Sequence, residues 1–580
     1  MNPFSHNYFL GYINEVGPQN VRIHFPTSSL LERFFHEGVH YTGGNVGNFI
    51  IIEGEEYGFL ARMIELNLPD SEKKEISEKA IKQDESSFHP SGKAELLLSF
   101  SVFNPEKTEK TVSKYPSLGA KVYACSDEQI GIYVKEFGKK SNEDDNVYAT
   151  LGKLTSNDAE CEVSLNALFG RHCAVVGTTG GGKSWTVAKL IESIIGSTNN
   201  KVILIDATGE YENLKSDNCI FGDNAFFHYS SLSTNDVLVL LRPGGQVQAP
   251  KLVEAIKSLK ILRKLEESIG TDPLVEKTEN GYSISINATT KEEIIVRDGT
   301  IVKMNQLIRP YNRFYSKYIT DIDSPEANFN INKLDIQLIN ECVWDTDPTR
   351  WGNRQDNQLN HCVSLILRAK SLINNPDFAN IFGFGKNKSD SNEVTNKIES
   401  FLKGKNQLLR LAFNNVTSDF QIREILVNAI GQFLLEKSLK GDFKASPLVV
   451  FMDEAHRYLN KNVKDEYFES KSLDAYDLIA KECRKFGLFL CLATQMPRDI
   501  PIGTLSQMGT FIVHRLINEQ DKKAIENAAS SANRSALSFL PILGEGEALL
   551  VGVDFPMPLM IKIHEPNKKP ESRTPRLKKK

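Results

Sequence analysis

The stretch Arg171-His-Cys-Ala-Val-Val-Gly-Thr-Thr-Gly-Gly-Gly-Lys-Ser184 decides the fold of this 580-residue chain. The apolar run 173–176 predicts a strand and the run 185–195 predicts a helix, with Gly-x-x-x-x-Gly-Lys-Ser on the loop between them. Glycines let the backbone curl until several N–H groups point at one phosphate chain, and the helix adds its positive end. A turn that only allows close packing would need neither the lysine nor the serine. The stretch therefore predicts a phosphate-binding P-loop.

The P-loop pattern also predicts which groups contact a nucleotide. We expect Lys183 to reach the β- and γ-phosphates of ATP, and the hydroxyl of Ser184 to ligate Mg²⁺. The residues predicted to line the nucleotide are Gly177, Thr178, Thr179, Gly180, Gly181, Gly182, Lys183, Ser184 and Trp185.

A second apolar run, 447–452, ends in the acid pair Asp453 and Glu454. At the carboxyl edge of a strand, Asp453 can hold the Mg²⁺ ion, and Glu454 can orient or deprotonate the attacking water. Either acid alone could be a surface carboxylate at a strand end. Together with the P-loop, the pair predicts a site that hydrolyses ATP.

A third apolar run, 488–493, ends in Thr494 and Gln495. We expect Gln495 to touch the γ-phosphate or the lytic water. Arg484 lies upstream of this run, at the end of a predicted helix over 473–486 and away from the strand tips. An arginine in that place suits an arginine finger that enters a neighbouring subunit's site. The alternative is a solvated cation that the helix dipole favours.

Taken together, these motifs resemble the HerA helicase/translocase family, which lies near the FtsK DNA pumps and the VirB4-type conjugation ATPases. The similarity spans about residues 5–565. It rests on the P-loop, Lys201-Val-Ile-Leu-Ile-Asp206-Ala-Thr-Gly209-Glu210-Tyr211, Asp453-Glu-Ala-His456 and Ala-Thr-Gln495.

The resemblance implies roles beyond those that the residues suggest alone. It implies a homo-hexameric ring in which Arg484 acts across the subunit interface, with Arg171 as a second candidate for that contact. Asp206 and Glu210 are expected near the metal and the interface, and Gln495 at the sensor position. Trp185 departs from the family, which usually has a small residue there.

The predicted fold class is α/β: a RecA-like P-loop NTPase core with an N-terminal small β-barrel and a mainly helical insertion. Six short β-runs between residues 9 and 124 favour the barrel, which resembles the family's collar. An insertion is expected because Asp206 and Asp453 are too far apart for one helical crossover. The expected boundaries are 1–157 for the barrel, 158–246 and 403–565 for the core, 247–402 for the insertion and 566–580 for a basic flexible tail.

Composition favours a large cytoplasmic enzyme. The chain has no run of eighteen apolar residues and no signal-peptide pattern at its start. Its eight cysteines are scattered without a Cys-x-x-Cys pair, which is typical of reduced, buried thiols. The sequence therefore predicts no membrane association.

The resemblance further implies double-stranded DNA as substrate, whereas the net charge of −5 confines any positive surface to a local channel. Lys461, Lys464 and Lys471 are candidates for lining that channel, with ordinary solvated lysines as the alternative. A nuclease or effector partner, docked on the barrel, is expected from family members in DNA end processing or anti-phage defence. Two other functions stay open: a nucleotide-controlled ring scaffold that assembles or activates an effector, and a VirB4-type conjugation or secretion motor.

Overall fold

The structure is a computed structural model that describes most of the chain. The described residues are 3–31, 34–36, 39–41, 43–70, 72–73, 88–109, 114–136, 147–155, 159–287, 290–324, 327–384, 390–416, 421–459, 473–529, 534–555 and 557–571. The candidate channel residues Lys461, Lys464 and Lys471 lie outside the described residues, as does the end of the predicted tail, 572–580.

The first part of the chain is an antiparallel β-barrel. Its region contains β1 (Phe9–Val16), β2 (Asn20–His24), β3 (Phe34–His36), β4 (Val39–Tyr41), β5 (Phe49–Ile52), β6 (Tyr57–Asn67), β7 (Ser91–Ser101), β8 (Asn104–Glu109) and β9 (Lys121–Ala124). The order is β2-β1-β9-β5-β6-β7, and β7 pairs back with β2 to close the barrel. β8 adds to β7, while β3 and β4 pair separately. Closure satisfies the strand edges, and the predicted barrel is confirmed.

The remaining strands form one large sheet and one small sheet. They are β10 (Tyr148–Leu154), β11 (Glu160–Ser164), β12 (Cys173–Val176), β13 (Lys201–Asp206), β14 (Asp217–Ile220), β15 (Val275–Lys277), β16 (Gly281–Ser285), β17 (Lys291–Arg297), β18 (Thr300–Ile301), β19 (Leu408–Ala412), β20 (Leu448–Met452), β21 (Leu488–Thr494), β22 (Thr510–His514), β23 (Glu547–Gly552) and β24 (Leu559–Ile563). The large sheet has the order β11-β10-β24-β23-β22-β12-β21-β20-β13-β19-β14. From β22 to β14 all neighbours are parallel, whereas β23, β24, β10 and β11 extend the sheet with antiparallel pairs.

Helices cover the large sheet and build most of the insertion. They are α1 (Asp127–Glu136), α2 (Leu165–Phe169), α3 (Lys183–Ser197), α4 (Thr234–Leu241), α5 (Gly245–Ser268), α6 (Ile308–Lys317), α7 (Ile319–Ile322), α8 (Leu334–Asn340), α9 (Asp356–Ile373), α10 (Pro376–Phe382), α11 (Val394–Lys403), α12 (Ile422–Leu439), α13 (His456–Leu459), α14 (Ala475–Glu482), α15 (Ile502–Leu505), α16 (Glu519–Ala528) and α17 (Arg534–Leu537). Strand β21 lies between the P-loop strand β12 and the acid-bearing strand β20, which is the strand order of a RecA-like core. The predicted fold class is confirmed.

Continuous apolar runs make the central strands suitable for the middle of a parallel sheet. Every residue of β12 and β20 is buried, as a parallel sheet covered on both faces requires. Successive side chains of a strand point to opposite faces. Accordingly Ala174 and Val176 pack in one hydrophobic core, and Cys173 and Val175 in a second core across the sheet.

The insertion leaves the core after β14 and returns at β19. It contains α5 to α11 and the antiparallel sheet β15-β16-β17-β18. Part of it has its own core, built from α5, α6 and the small sheet around Leu265, Tyr311 and Trp351. Helix α9 instead packs Leu365 and Ala369 into the main core, so the insertion is anchored on the ATPase body.

Two segments differ from the expected boundaries. Strand β10, expected within the barrel region, pairs with β24 in the large sheet, with Gly152 opposite Ile563. Residues 566–571, expected to begin a flexible tail, are bound to the surface of the core, where Pro566 and Pro570 are buried. Both differences arise from long-range pairing between the two ends of the core, which no local pattern encodes.

A buried ion pair joins β13 to β19. Asp206 Oδ2 lies 2.8 Å from Arg410 Nε, and the side chains are 0% and 2% exposed. Arg410 also donates to Asn218 Oδ1 at 3.2 Å. The carboxylate of Asp206 accepts hydrogen bonds from the backbone N–H groups of Thr208, Gly209 and Tyr211. The pair therefore holds the loop 207–211 against the carboxyl edge of the sheet.

Replacing the buried arginine tests this constraint. Arg410→Leu leaves the buried Asp206 carboxylate without its counter-charge, so we expect a loss of about 3–5 kcal/mol in the free energy of unfolding. Urea unfolding of the nucleotide-free protein measures it. Arg263→Leu is the matched control, because the Arg263–Glu267 pair is about half exposed at 49% and 52% and should change stability by less than about 1 kcal/mol. Equal shifts in both variants would contradict the role of the buried pair.

Candidate nucleotide-binding site

The P-loop connects β12 to α3 as a tight backbone curl. Gly180 has φ +74°, and Gly182, which caps α3, has φ +109°, a left-handed conformation that favours glycine. Gly181 N–H donates to Thr178 O at 3.1 Å, which closes the curl. Gly177 has no room for a side chain, because an added Cβ would lie 2.6 Å from the Cβ of His514. The loop geometry therefore depends on glycine at these positions.

Lys183 and Ser184 begin α3 and face a group of acids. Lys183 Nζ donates to Thr178 O at 3.4 Å, so the ammonium lies over the loop. Burial lowers the pKa of Lys183, and the carboxylates of Glu454, Asp453 and Glu210 act in the opposite direction. Ser184 Oγ donates to Glu210 Oε2 at 2.8 Å. The two residues are thus placed for a phosphate and for a cation respectively.

Asp453 and Glu454 follow β20 at the same edge of the sheet. Burial raises the pKa of Asp453 well above its usual range, and Glu454, Glu210 and Asp206 add to the effect. The ammonium of Lys183 opposes it. Glu454 is held at φ +48°, and its Oε2 atom is buried without a hydrogen bond from the described residues. The site concentrates negative charge that one lysine does not balance.

A magnesium ion fits this set of donors. Ser184 Oγ and the Asp453 carboxylate are hard oxygen ligands, which Mg²⁺ prefers. Among the described residues no three His, Cys, Asp or Glu side chains form a ready metal cage. Mg²⁺ is commonly held by one or two protein ligands together with substrate phosphates, so such a sparse protein set suits it.

Gln495 joins the P-loop to the acid pair. It follows β21, and its Nε2 donates to Glu454 Oε1, while its Oε1 accepts from Thr179 Oγ1 at 2.6 Å. His456 Nδ1 lies 3.3 Å from Glu454 Oε2, and burial lowers the pKa of that imidazole. The side-chain amide of Gln495 therefore links Thr179 of the P-loop to Glu454, so a movement of either residue alters one of its hydrogen bonds.

His514 packs against the P-loop at Gly177 and contacts Thr186 in the helix that follows. This residue was not identified from the sequence. Its Nδ1 lies 2.8 Å from the carbonyl of Glu547, so this nitrogen must carry the proton. Burial lowers the pKa of His514 to about 4, so the neutral ring accepts from Thr186 Oγ1 through Nε2 at 2.8 Å. His514 is the last residue of an apolar strand, and no sequence motif predicts its contact with Thr186.

Arg171 and Arg484 lie at the opposite edge of the sheet from these groups. Arg171 precedes β12, and Arg484 lies in the turn 483–486 before β21. Since β21 has seven residues, its two ends are about 20 Å apart. Both arginines line one cavity of about 140 Å³. The structure thus brings Lys183, Ser184, Asp453, Glu454 and Gln495 together and keeps the two arginines apart from them.

Trp185 lies on the surface of α3, one residue beyond Ser184. Its ring is partly buried, and the ammonium of Lys569 lies 5.1 Å from the ring centre. The tryptophan is therefore next to the site, with one face covered by the C-terminal segment. Together, the P-loop, the acid pair and the glutamine on the intervening strand define the class of protein: a P-loop ATPase with a RecA-like core.

Comparison with known proteins agrees with this class. The family described as "Helicase HerA, central domain" matches residues 149–346, and "Helicase HerA-like C-terminal" matches residues 427–574. The DNA double-strand break repair helicase HerA of Saccharolobus solfataricus is 30% identical over 426 residues, which cover 71% of this chain and 68% of that protein. A probable helicase of Methanocaldococcus jannaschii is 28% identical over 462 residues, covering 72% and 74%. The chain belongs to the HerA helicase family.

Solved structures with lower similarity include VirB4 of Thermoanaerobacter pseudethanolicus, at TM-score 0.44 and 13% identity over 73% of this chain and 98% of that one. The plasmid coupling protein TrwB in complex with ADP and Mg²⁺ has TM-score 0.41 and 12% identity, covering 75% and 99%. With this family and this site, the chain is an ATP-hydrolysing P-loop enzyme. Within the described residues, no helix is both long and apolar enough to cross a bilayer.

The close approach of His514 to the P-loop gives a direct test of the site geometry. Gly177→Ala forces the new Cβ against His514, so we expect ATP affinity to fall by at least about tenfold while the protein stays folded. Fluorescent-nucleotide titration measures the affinity. Gly196→Ala, near the end of the helix α3 that follows the P-loop, meets nothing within 4 Å and should leave affinity unchanged. Parent-like binding by Gly177→Ala would show that the loop tolerates the displacement.

Proposed function

We propose that this chain is an ATP-driven translocase or helicase for double-stranded DNA that works as a homo-hexameric ring. The observation that carries the proposal is the separation of the site into two parts. Lys183, Glu454 and Gln495 are assembled within one chain, whereas both candidate arginines lie at the far edge of the sheet. In the proposed ring a neighbouring copy supplies the arginine, and the names of family members as DNA double-strand break repair helicases supply the expectation of DNA.

The residues of one chain take distinct roles in the proposed reaction. Glu454 orients and deprotonates the attacking water, and Lys183 balances charge on the transferred phosphoryl group. Ser184 and Asp453 would hold Mg²⁺, which supplies positive charge at the β- and γ-phosphate oxygens when bound. Gln495 reports the state of the γ-phosphate, because it is bonded to both Glu454 and Thr179.

Arg484 is the better candidate for the arginine that acts on a neighbour. It is exposed and makes no ion pair within the described part of the chain. Arg171 is instead held by Asp554, with Nε 3.1 Å from Oδ2. A finger must be free to reach a neighbouring phosphate, so we assign that role to Arg484 and an interface contact to Arg171.

A separately encoded nuclease or effector is proposed to dock on the barrel, in DNA end processing or anti-phage defence. Phe103, Leu118 and Tyr115 support this, because they expose 85%, 70% and 51% of their surface in the barrel region. Large apolar side chains exposed to this extent offer contact surface for a protein partner. The proposed docking module is the barrel, whose strands lie within residues 9–124.

Mixed rings test the division of the site between subunits. Glu454→Gln should keep ATP bound while hydrolysis falls by about 10²- to 10⁴-fold, and Arg484→Ala should also be inactive. Rings assembled from both variants should regain part of the activity, because some interfaces then combine an intact Glu454 with a neighbour's intact Arg484. Steady-state ATPase assays across mixing ratios measure the recovery.

The matched control mixes Glu454→Gln with Lys183→Ala. Both residues lie in the same chain's site, so no interface in that mixture is complete and activity should stay absent. If Arg484→Ala recovers no better than Lys183→Ala in rings shown to be mixed, Arg484 does not act in trans. The same mixture with Arg171→Ala then tests the second arginine.

DNA binding tests the proposed substrate. Long duplex DNA should stimulate ATP hydrolysis, and binding should ignore base sequence but weaken steeply as salt rises, because each contacted phosphate releases counterions. Filter binding and ATPase assays at several salt concentrations measure both effects. Equal hydrolysis with and without DNA, together with no binding at low salt, would leave a nucleotide-controlled scaffold as the function.

A further inference from the structure

The C-terminal segment 565–571, here called the C-terminal strap, crosses the P-loop helix. After β24 the chain runs along α3, where the carboxylate of Glu192 accepts from two consecutive backbone N–H groups, those of Asn567 at 3.0 Å and Lys568 at 2.9 Å. The buried rings of Pro566 and Pro570 lie on either side of this contact. A charged acceptor shared by two N–H groups is a strong, directional anchor.

The strap then contacts two neighbours of Ser184: Trp185, the next residue in the chain, and Glu210, its hydrogen-bond partner. The ammonium of Lys569 lies 5.1 Å from the ring centre of Trp185. The N–H of Glu571 donates to the carbonyl of Glu210 at 2.8 Å. Asn213, in the turn after Glu210, donates to Glu571 Oε1 at 3.1 Å.

Glu210 matters because its carboxylate accepts the only proton of the Ser184 hydroxyl. With that proton engaged, the lone pairs of Ser184 Oγ are left for a cation. A partner that orients a metal ligand in this way commonly changes metal affinity by about 10- to 100-fold when it is lost. The peptide unit between Glu210 and Tyr211 is held at both ends, because the Tyr211 N–H donates to the Asp206 carboxylate and the Glu210 carbonyl accepts from the strap.

We propose that the C-terminal strap is a positioning element for the magnesium ligand Ser184, acting through Glu210 and Trp185. The proposal rests on the role that the proposed function gives to Ser184. The strap fixes the orientation of the serine hydroxyl through these neighbours, and its hydrogen bonds, made to Glu192, Glu210 and Asn213 among the described residues, lie outside the P-loop 177–184. Loss of the strap therefore lowers the affinity for Mg²⁺ without removing any group that touches phosphate.

The experiment compares two truncations of the full-length ring. Ending the chain at Glu565 removes residues 566–580, including most of the strap, whereas ending it at Glu571 removes only 572–580 and is the matched control. The shorter chain should need about tenfold more Mg²⁺ for half-maximal, DNA-free ATP hydrolysis, with a maximal rate near the parent's. Binding of ATP without Mg²⁺ should be the same in both truncations.

A point variant and a spectroscopic signal keep the test independent of folding and of activity. Glu192→Ala removes both anchoring bonds, and Glu192→Gln keeps a carbonyl acceptor and should restore part of the effect. The chain has three tryptophans, so replacing Trp344 and Trp351 by Phe leaves Trp185 as the only one. In that background the emission of Trp185 should shift to longer wavelength when the strap is lost, because the ring becomes more exposed to water.

Parent-like Mg²⁺ dependence and Trp185 emission in both Glu192→Ala and the shorter truncation would overturn the proposal. So would an equal fall in the maximal rate at every Mg²⁺ concentration, which indicates only a less stable helix. Ser184→Ala separates this result from the proposed function. If its Mg²⁺ dependence equals the parent's, the assignment of Ser184 itself is wrong, whereas the DNA experiments are unaffected.

Discussion

Parallel pairing of β12, β21, β20 and β13 is the constraint on which the site depends. In a parallel sheet the carboxyl ends of all strands meet at one edge, so residues far apart in sequence become neighbours. The P-loop, Gln495, the acid pair and the loop after Asp206 are each the first residues beyond a strand of this group. A slip of one residue in any strand would turn its terminal side chain toward the wrong face.

The same convergence brings like charges together. Asp206 is balanced by Arg410, whereas Asp453, Glu454 and Glu210 lie around Lys183. Burial raises the pKa of Asp453, and the neighbouring carboxylates add to that effect. Without a bound cation and nucleotide, the repulsion among these carboxylates destabilises the site. Binding of a divalent cation with ATP relieves it, so the charge imbalance favours the occupied state.

Features that are encoded locally could be predicted from the sequence. The P-loop, the acid pair after β20 and Gln495 after β21 each combine an apolar run with polar residues at its end, and the structure places all three at one edge. The barrel and the insertion followed from strand spacing and from the excess length between Asp206 and Asp453. Residue roles at this edge stay predictions until variants are measured.

The features that sequence reasoning missed all depend on distant partners. In the sequence, Arg410 is a charged residue within an apolar run, and its role becomes clear only from the pairing of β19 with β13. His514 is the last residue of a strand, and its role becomes clear only from its contact with the helix that follows the P-loop. The strap looked like a polar tail because its anchors, Glu192 and Glu210, belong to other elements. Strand β10 was assigned to the barrel for the same reason, since its partner β24 is about 400 residues away.

The pairing of β10 with β24 has a consequence for synthesis of the chain. The sheet that carries the P-loop is completed by strands that the ribosome makes last, and residues 177–184 emerge long before Asp453, Gln495 and His514. Until then the apolar strands β12 and β13 lack most of their neighbours, which favours off-pathway association. The barrel, whose strands all lie within residues 9–124, can close early. A nascent chain therefore has a folded N-terminal module well before it can hydrolyse ATP.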